Sequence, residues 1–206
     1  MKIQIVILCF CMMCMPIPEA KSQDDCRYFD GTVKVMSRNM YPGADLGLIA
    51  GADADHLQDA VQATMESVIQ SRIPRRARQI AAEIGKNKPD LVALQEATRW
   101  KFKYGNRRMV LDQLDLLMEA LQRAGEHYKV AVVQNLTDIR IPDLISYSDH
   151  DIILVRVNPQ LKILGTETRV YDALMSFPAM GGEIEVLRGW ASAEVKKNGC
   201  RFKFVN

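Results

Sequence analysis

Residues 89–96 read Pro89-Asp90-Leu91-Val92-Ala93-Leu94-Gln95-Glu96. The apolar run is too short for a helix and Pro89 bounds it, so it reads as a buried strand. Glu96 then stands at the strand's C-terminal end, where open α/β sheets gather their chemistry. An unpaired carboxylate is costly to bury. Glu96 therefore binds a metal, pairs with a basic group, or caps the strand in a solvated turn.

Two further segments bear on that choice. Thr32–Met40 (Thr-Val-Lys-Val-Met-Ser-Arg-Asn-Met) alternates like a strand and runs into Asn39. Arg201–Asn206 (Arg-Phe-Lys-Phe-Val-Asn) alternates again up to Asn206. In this order the three segments resemble the N-terminal pattern of the endonuclease/exonuclease/phosphatase superfamily, which includes deoxyribonuclease-like enzymes and sphingomyelinases. That pattern is a first strand ending in Asn, a later strand ending in Gln-Glu, and a strand running into Asn-Thr-His-Leu. The resemblance spans residues 32–206.

The resemblance implies an α/β fold, namely part of a four-layer α/β/β/α sandwich of mixed sheets flanked by helices. It implies a metal-dependent phosphoester hydrolase of the phosphodiesterase/nuclease or phosphatase class, using Mg as its divalent metal. Phosphodiester cleavage needs an activated water, charge neutralisation at the phosphate and a stabilised leaving oxygen. A divalent ion held by carboxylates supplies the last two and helps with the first, and magnesium takes only one or two protein carboxylates plus waters. By resemblance Glu96 is the metal ligand, and Asn39 lies in the metal and phosphate pocket. The implied partner is a phosphoester substrate: a nucleic acid, a phospholipid or a small molecule.

The match is incomplete. The sequence ends before the His that follows the Asn206 strand, the Asp-x-Asn pair, a later Asp and the terminal Asp-His, and Tyr41 stands where some nucleases have Asp. The expectation is an incomplete, poorly active portion, truncated at the C-terminus. Ser148-Asp149-His150 matches the letters of the family's late motif. Yet it precedes Asp151–Arg156 and the strand to Asn206, so it reads as the entry to a middle strand. No catalytic role is expected of His150, nor assigned to Asp151 or Arg156. The alternatives are a noncatalytic remnant or binding protein on the same scaffold, and an unrelated exported α/β domain.

With 48% hydrophobic and 25% charged residues the composition is that of an ordinary globular protein, and a net charge of +2 is too small to argue for nucleic acid. Ile3–Met15 is an apolar run behind Lys2, too short for a comfortable membrane span. It fits the core of a secretory signal peptide over residues 1–22, with an uncleaved anchor as the alternative. The domain is then 23–206, secreted or periplasmic. Cleavage leaves Cys26 and Cys200, a pair that is either disulfide-bonded or free. Gly43, Gly47 and Gly51 recur every four residues but form no dinucleotide or P-loop fingerprint. They read as a flexible loop, and no nucleotide cofactor is expected.

Helical spacing marks residues 55–72, with Asp53 or Asp55 as cap, and residues 75–86, with Ile73-Pro74 between them. Met109–Ala124 carries a wide apolar stripe ended by Gly125 and reads as the clearest helix. Tyr128–Val133, Asp151–Val157 and Lys162–Tyr171 read as strands. Asn198-Gly199 between two alternating runs marks a hairpin. Arg99–Arg108 (Arg-Trp-Lys-Phe-Lys-Tyr-Gly-Asn-Arg-Arg) alternates basic and aromatic residues. It reads as a solvated edge hairpin, or as a segment that grips phosphates, stacks bases or sits at a lipid surface.

Overall fold

The structure is a computed structural model that describes residues 31–172, 175–179 and 182–206. The signal-peptide expectation for residues 1–22 and Cys26 lie outside the described residues. In chain order the elements are β1 (Val35–Asn39), α1 (Gly47–Ala50), α2 (Leu57–Gln70), α3 (Ile73–Asn87), β2 (Leu91–Gln95), β3 (Arg99–Tyr104), β4 (Arg107–Asp112) and α4 (Gln113–Arg123). There follow β5 (Tyr128–Ile141), β6 (Ile145–Arg156), β7 (Leu161–Val170), β8 (Met175–Ala179), β9 (Gly182–Val186), β10 (Gly189–Lys197) and β11 (Cys200–Val205). The chain is α/β, with a six-stranded mixed sheet, a three-stranded sheet ordered β11-β10-β7, and the separate hairpin β8–β9.

β6 organises the large sheet. It pairs with β5 along one side, and with β2 and then β3 along the other. Because side chains alternate across a strand, β6 serves two layers at once. Ile152 and Leu154, with Val92 and Leu94, pack on Ile80, Ala81 and Ile84 of α3 and on Leu117 and Leu121 of α4. Ile153 and Val155, with Leu91, pack instead on Ala191, Ala193 and Val195 of the small sheet. Strands buried on both faces carry unbroken apolar runs, which is why Leu91–Leu94 and Ile152–Val155 show no alternation. Each such side chain contributes roughly 1.5–3 kcal/mol through burial. The described layers are thus helix, sheet and sheet, a partial version of the four-layer expectation.

At its far end the large sheet has a different covering. Trp100, Phe102, Ile139, Ile145 and Tyr147 pack on Ile49, Val61, Val68 and Ile73 of the α1–α3 region. Trp100 is fully buried, its ring centroid is 4.6 Å from that of Tyr147, and its indole N–H donates to the Pro42 carbonyl at 2.7 Å.

Several expectations are corrected. Met109–Asp112 is not helical: it is β4, with Met109 opposite Phe102 and Leu111 opposite Trp100. The helix starts only after Asp112, whose carboxylate accepts the N–H groups of Leu114 (3.0 Å) and Asp115 (3.1 Å) as an N-cap. Ile73-Pro74 begins α3 rather than merely separating two helices, since proline suits a helix's first turn. The segment after β1 includes the helical turn Gly47–Ala50 instead of being loop throughout. The first strand occupies Val35–Asn39 of the Thr32–Met40 run, and the Tyr128 strand runs on to Ile141. The Asn198-Gly199 turn is as read, with both residues at positive φ (49° and 90°). The possible Cys26–Cys200 pairing involves a residue outside the described set; Cys200 itself is buried and disulfide-bonded.

Candidate functional site

β1 and β2 are parallel, and their register sets Asn39 opposite Gln95. The C-terminal ends of both strands therefore lie together. Asn206 joins them from the small sheet: its amide N–H groups donate to the carbonyls of Leu94 (2.9 Å) and Ile152 (3.1 Å), and its side-chain oxygen accepts from Gln95 Nε2. The residues that end the three motif strands are thus gathered at one end of the two sheets.

Glu96 owes its position to a backbone irregularity. Leu94 lies opposite Ile152 and Arg99 opposite Ser148, so five steps along one chain match four along β6. The extra residue is a β-bulge, a device that re-aims a side chain and breaks pairing. Glu96 adopts φ +55°, a conformation rare outside glycine. The Ala97 N–H donating to the His150 carbonyl at 2.9 Å restores the ladder immediately afterwards. Left-handed residues of this kind cluster at functional sites.

The bulge brings Glu96 into a cavity of about 370 Å³ between the large sheet, the 42–50 segment that includes α1, and the end of β9. Tyr147 and Asp149 of β6, Thr137 and Ile139 of β5, Arg188 before β10 and the Pro42–Gly47 segment complete its wall. Asp149 is 5% exposed, and its Oδ1 is buried without a hydrogen-bond partner, as is Thr137 Oγ1. Burial first, and then the nearby Asp151 and Glu96 carboxylates, push the Asp149 pKa up from 3.8 to about 6, against the lowering pull of Arg188. Asp151 is also raised, chiefly by burial, while the Glu96 backbone N–H and Arg188 lower it. Burial pushes the Tyr147 hydroxyl well above its usual range. The cavity wall thus carries the carboxylates of Asp45, Glu96 and Asp149 and the Arg188 guanidinium, with the Asp151 carboxylate close by.

Asn39 does not line this cavity; it is exposed beside it, and its Oδ1 accepts the Tyr41 N–H at 2.8 Å. The adjoining segment is held firmly. The Gln113 amide and Arg76 Nη2 both donate to the Tyr41 carbonyl at 2.9 Å, and the Arg76 guanidinium lies 5.1 Å from the Tyr41 ring centroid. Ser148 and His150 line a second cavity bordered by Arg99, Asp112 and Asn135, which Thr137 and Asp149 also border. There Ser148 Oγ is 3.1 Å from His150 Nε2, and burial lowers the His150 pKa.

Tyr147, Asp149 and Arg188 were missed as site residues by the sequence reading. The signal for the first two is the period-two pattern Tyr147, Asp149, Asp151, which puts polar groups on one face of a strand otherwise apolar there. Arg188 has no comparable local signal.

The oxygen-only donors and the orphaned Asp149 oxygen fit a hard divalent cation. Among the described residues no group of three His, Cys, Asp or Glu side chains is arranged to hold a metal by itself, so water would complete most of the shell.

No protein-family model matches the sequence, and no curated protein matches it. Solved structures do. The chain is similar to an endonuclease/exonuclease/phosphatase family protein from Leptotrichia buccalis, at 17% identity and TM-score 0.43, covering 85% of this chain and 53% of that one. It is similar to a mannosyl-6-phosphatase from Bacteroides thetaiotaomicron, at 16% identity and TM-score 0.45, covering 85% and 51%. It is also similar to an endonuclease/exonuclease/phosphatase from Beutenbergia cavernae, at 20% identity and TM-score 0.38, covering 63% and 32%. The chain spans about half the length of the first two.

Proposed function

We propose that this chain carries the metal- and phosphate-binding part of an exported, divalent-metal-dependent phosphoester hydrolase. The observation that carries the reading is the cavity in which the bulged Glu96 and the buried Asp149, with an unpartnered oxygen, share a wall with Arg188. Carboxylates suit a cation and the guanidinium suits a phosphate oxygen. The two together suit a metal-bound phosphoester.

Glu96 and Asp149 hold the cation, with magnesium the choice that oxygen ligands and retained waters favour. A cation held there would supply charge neutralisation at the phosphate and stabilisation of the leaving oxygen. Arg188 pairs with a phosphate oxygen at the cavity rim. Asn39, with its oxygen engaged by Tyr41, presents its amide N–H groups towards substrate or towards a site carboxylate. The location, secreted or periplasmic, rests on the signal-peptide reading, and the substrate is proposed only as a phosphoester.

The test is Mn²⁺ titration of the purified chain by calorimetry, alongside hydrolysis of a chromogenic phosphodiester and of DNA with and without Mg²⁺. Glu96→Gln is expected to weaken metal binding by at least about tenfold and to cut any metal-dependent turnover by about 10²–10³-fold. Metal affinity unchanged in both Glu96→Gln and Asp149→Asn sinks the proposal.

A further inference from the structure

The segment Arg99–Asp112 carries five cations and one acid, and the candidate site uses none of them. Sheet register shows where they point. Lys101 lies opposite Val110 on β4 and Ser146 on β6, and Ser146 lies opposite Arg140 on β5. Lys103 lies opposite Arg108. Directly paired residues share a face, so Lys101, Lys103, Arg108, Val110, Ser146 and Arg140 form one continuous surface. The alternate residues Trp100, Phe102 and Met109 face the core.

This surface has no covering layer among the described residues. Lys101, Lys103, Arg108 and Val110 are all exposed, whereas α3 and α4 cover only the other end of that face. Arg99 and Arg140 are paired with Asp112 and Asp138, but no ion pair among the described residues involves Lys101, Lys103, Arg107 or Arg108. Val110 on the edge strand adds an exposed apolar group (56% exposed) to this face.

We propose that this outer face of the β3–β4 hairpin docks the protein on an anionic lipid bilayer. Charge complementarity calls for a polyanion, and two features choose the bilayer. The aromatic rings on which bases would stack, Trp100 and Phe102, are locked in the core, so the alternating basic-aromatic string is not a nucleic-acid platform. The surface is an open sheet face with an exposed valine on its edge strand, which suits a headgroup layer into which Val110 and the lysine stems insert their apolar parts. The inference is independent of the proposed catalytic cavity, which lies on the opposite face of β6.

The experiment is co-sedimentation of the purified chain with vesicles of phosphatidylcholine alone or mixed with phosphatidylglycerol, at low and at physiological salt. Binding is expected only to the anionic vesicles, weakening with salt. Lys101→Glu/Lys103→Glu/Arg108→Glu should weaken it on the order of a hundredfold, and the milder Lys101→Gln/Lys103→Gln by about tenfold or more, at about fivefold per neutralised cation. The melting temperature of each variant reports that it is folded. Lys196→Glu/Arg201→Glu, on the small sheet, should leave binding unchanged. Equal loss in that control, no preference for anionic vesicles, or tighter binding to single-stranded DNA that the same hairpin variants abolish would each overturn the proposal.

Discussion

Along β6, adjacent residues live in different environments. Tyr147 and Asp149 line the candidate site with Glu96, and Asp151 lies close by on the same face; Ser148 and His150 line a separate cavity on the opposite face. The string Ser148-Asp149-His150, which looks like one motif when read along the chain, is divided by the pleat between two cavities, with Asp149 bordering both. The same division runs through β3, where Trp100 and Phe102 build the core while Lys101 and Lys103 remain in solvent. In both strands chemistry belongs to a face and not to a run of letters.

The sharpest test of that division compares two neighbours. Trp100→Ala should cost about 3–5 kcal/mol in denaturant unfolding, because the ring is fully buried and its N–H is bonded to Pro42. Equal sensitivity at Lys101 would break the comparison.

On β6 the site face should be stressed and should relax on neutralisation. The folded-state pKa of Asp149, about 6, lies above the ordinary 3.8, so the folded chain retains an extra proton between these values. The stability this confers is complete below about pH 4 and is lost as pH rises through about 6. Asp149→Asn should therefore stabilise the metal-free protein by about 2–3 kcal/mol near neutral pH and by little at pH 4, measured as melting temperature against pH. The same substitution should weaken Mn²⁺ binding, a trade of function for stability. A destabilised variant at neutral pH would show that Asp149 is held by a favourable partner and is not the strained carboxylate described above.

Two smaller effects belong to the opposite faces. Lys101→Ala should lie within about 0.5 kcal/mol of wild type, read in the same unfolding experiment as Trp100→Ala. His150→Ala should leave Mn²⁺ affinity and any metal-dependent turnover unchanged. Loss of either in His150→Ala would show that the two faces are coupled and that the Ser-Asp-His string acts as a unit after all.

The sequence by itself determined the elements whose signals are local. Leu91–Gln95 was legible because a short apolar run bounded by proline can hardly be anything but a buried strand. The β10–β11 hairpin was legible because Asn198-Gly199 supplies the positive φ angles that a tight turn needs. The order of motif strands leads to the expectation that Asn39 shares a pocket with Glu96; register sets Asn39 opposite Gln95, while Glu96 lines a cavity that Asn39 does not. Tertiary structure decided the rest. Met109–Asp112 has helical spacing on paper, yet pairing with β3 and the Asp112 cap make it a strand, because packing overrides local propensity. The bulge at Glu96 arises only from the mismatch in length between Leu94–Arg99 and Ser148–Ile152. The meeting of Glu96, Asp149 and Arg188 likewise depends on two strands of the large sheet and the loop between β9 and β10. Periodicity reports which face a side chain takes within its own element; which elements meet, and what charge environment they create there, is set by contacts between distant parts of the chain.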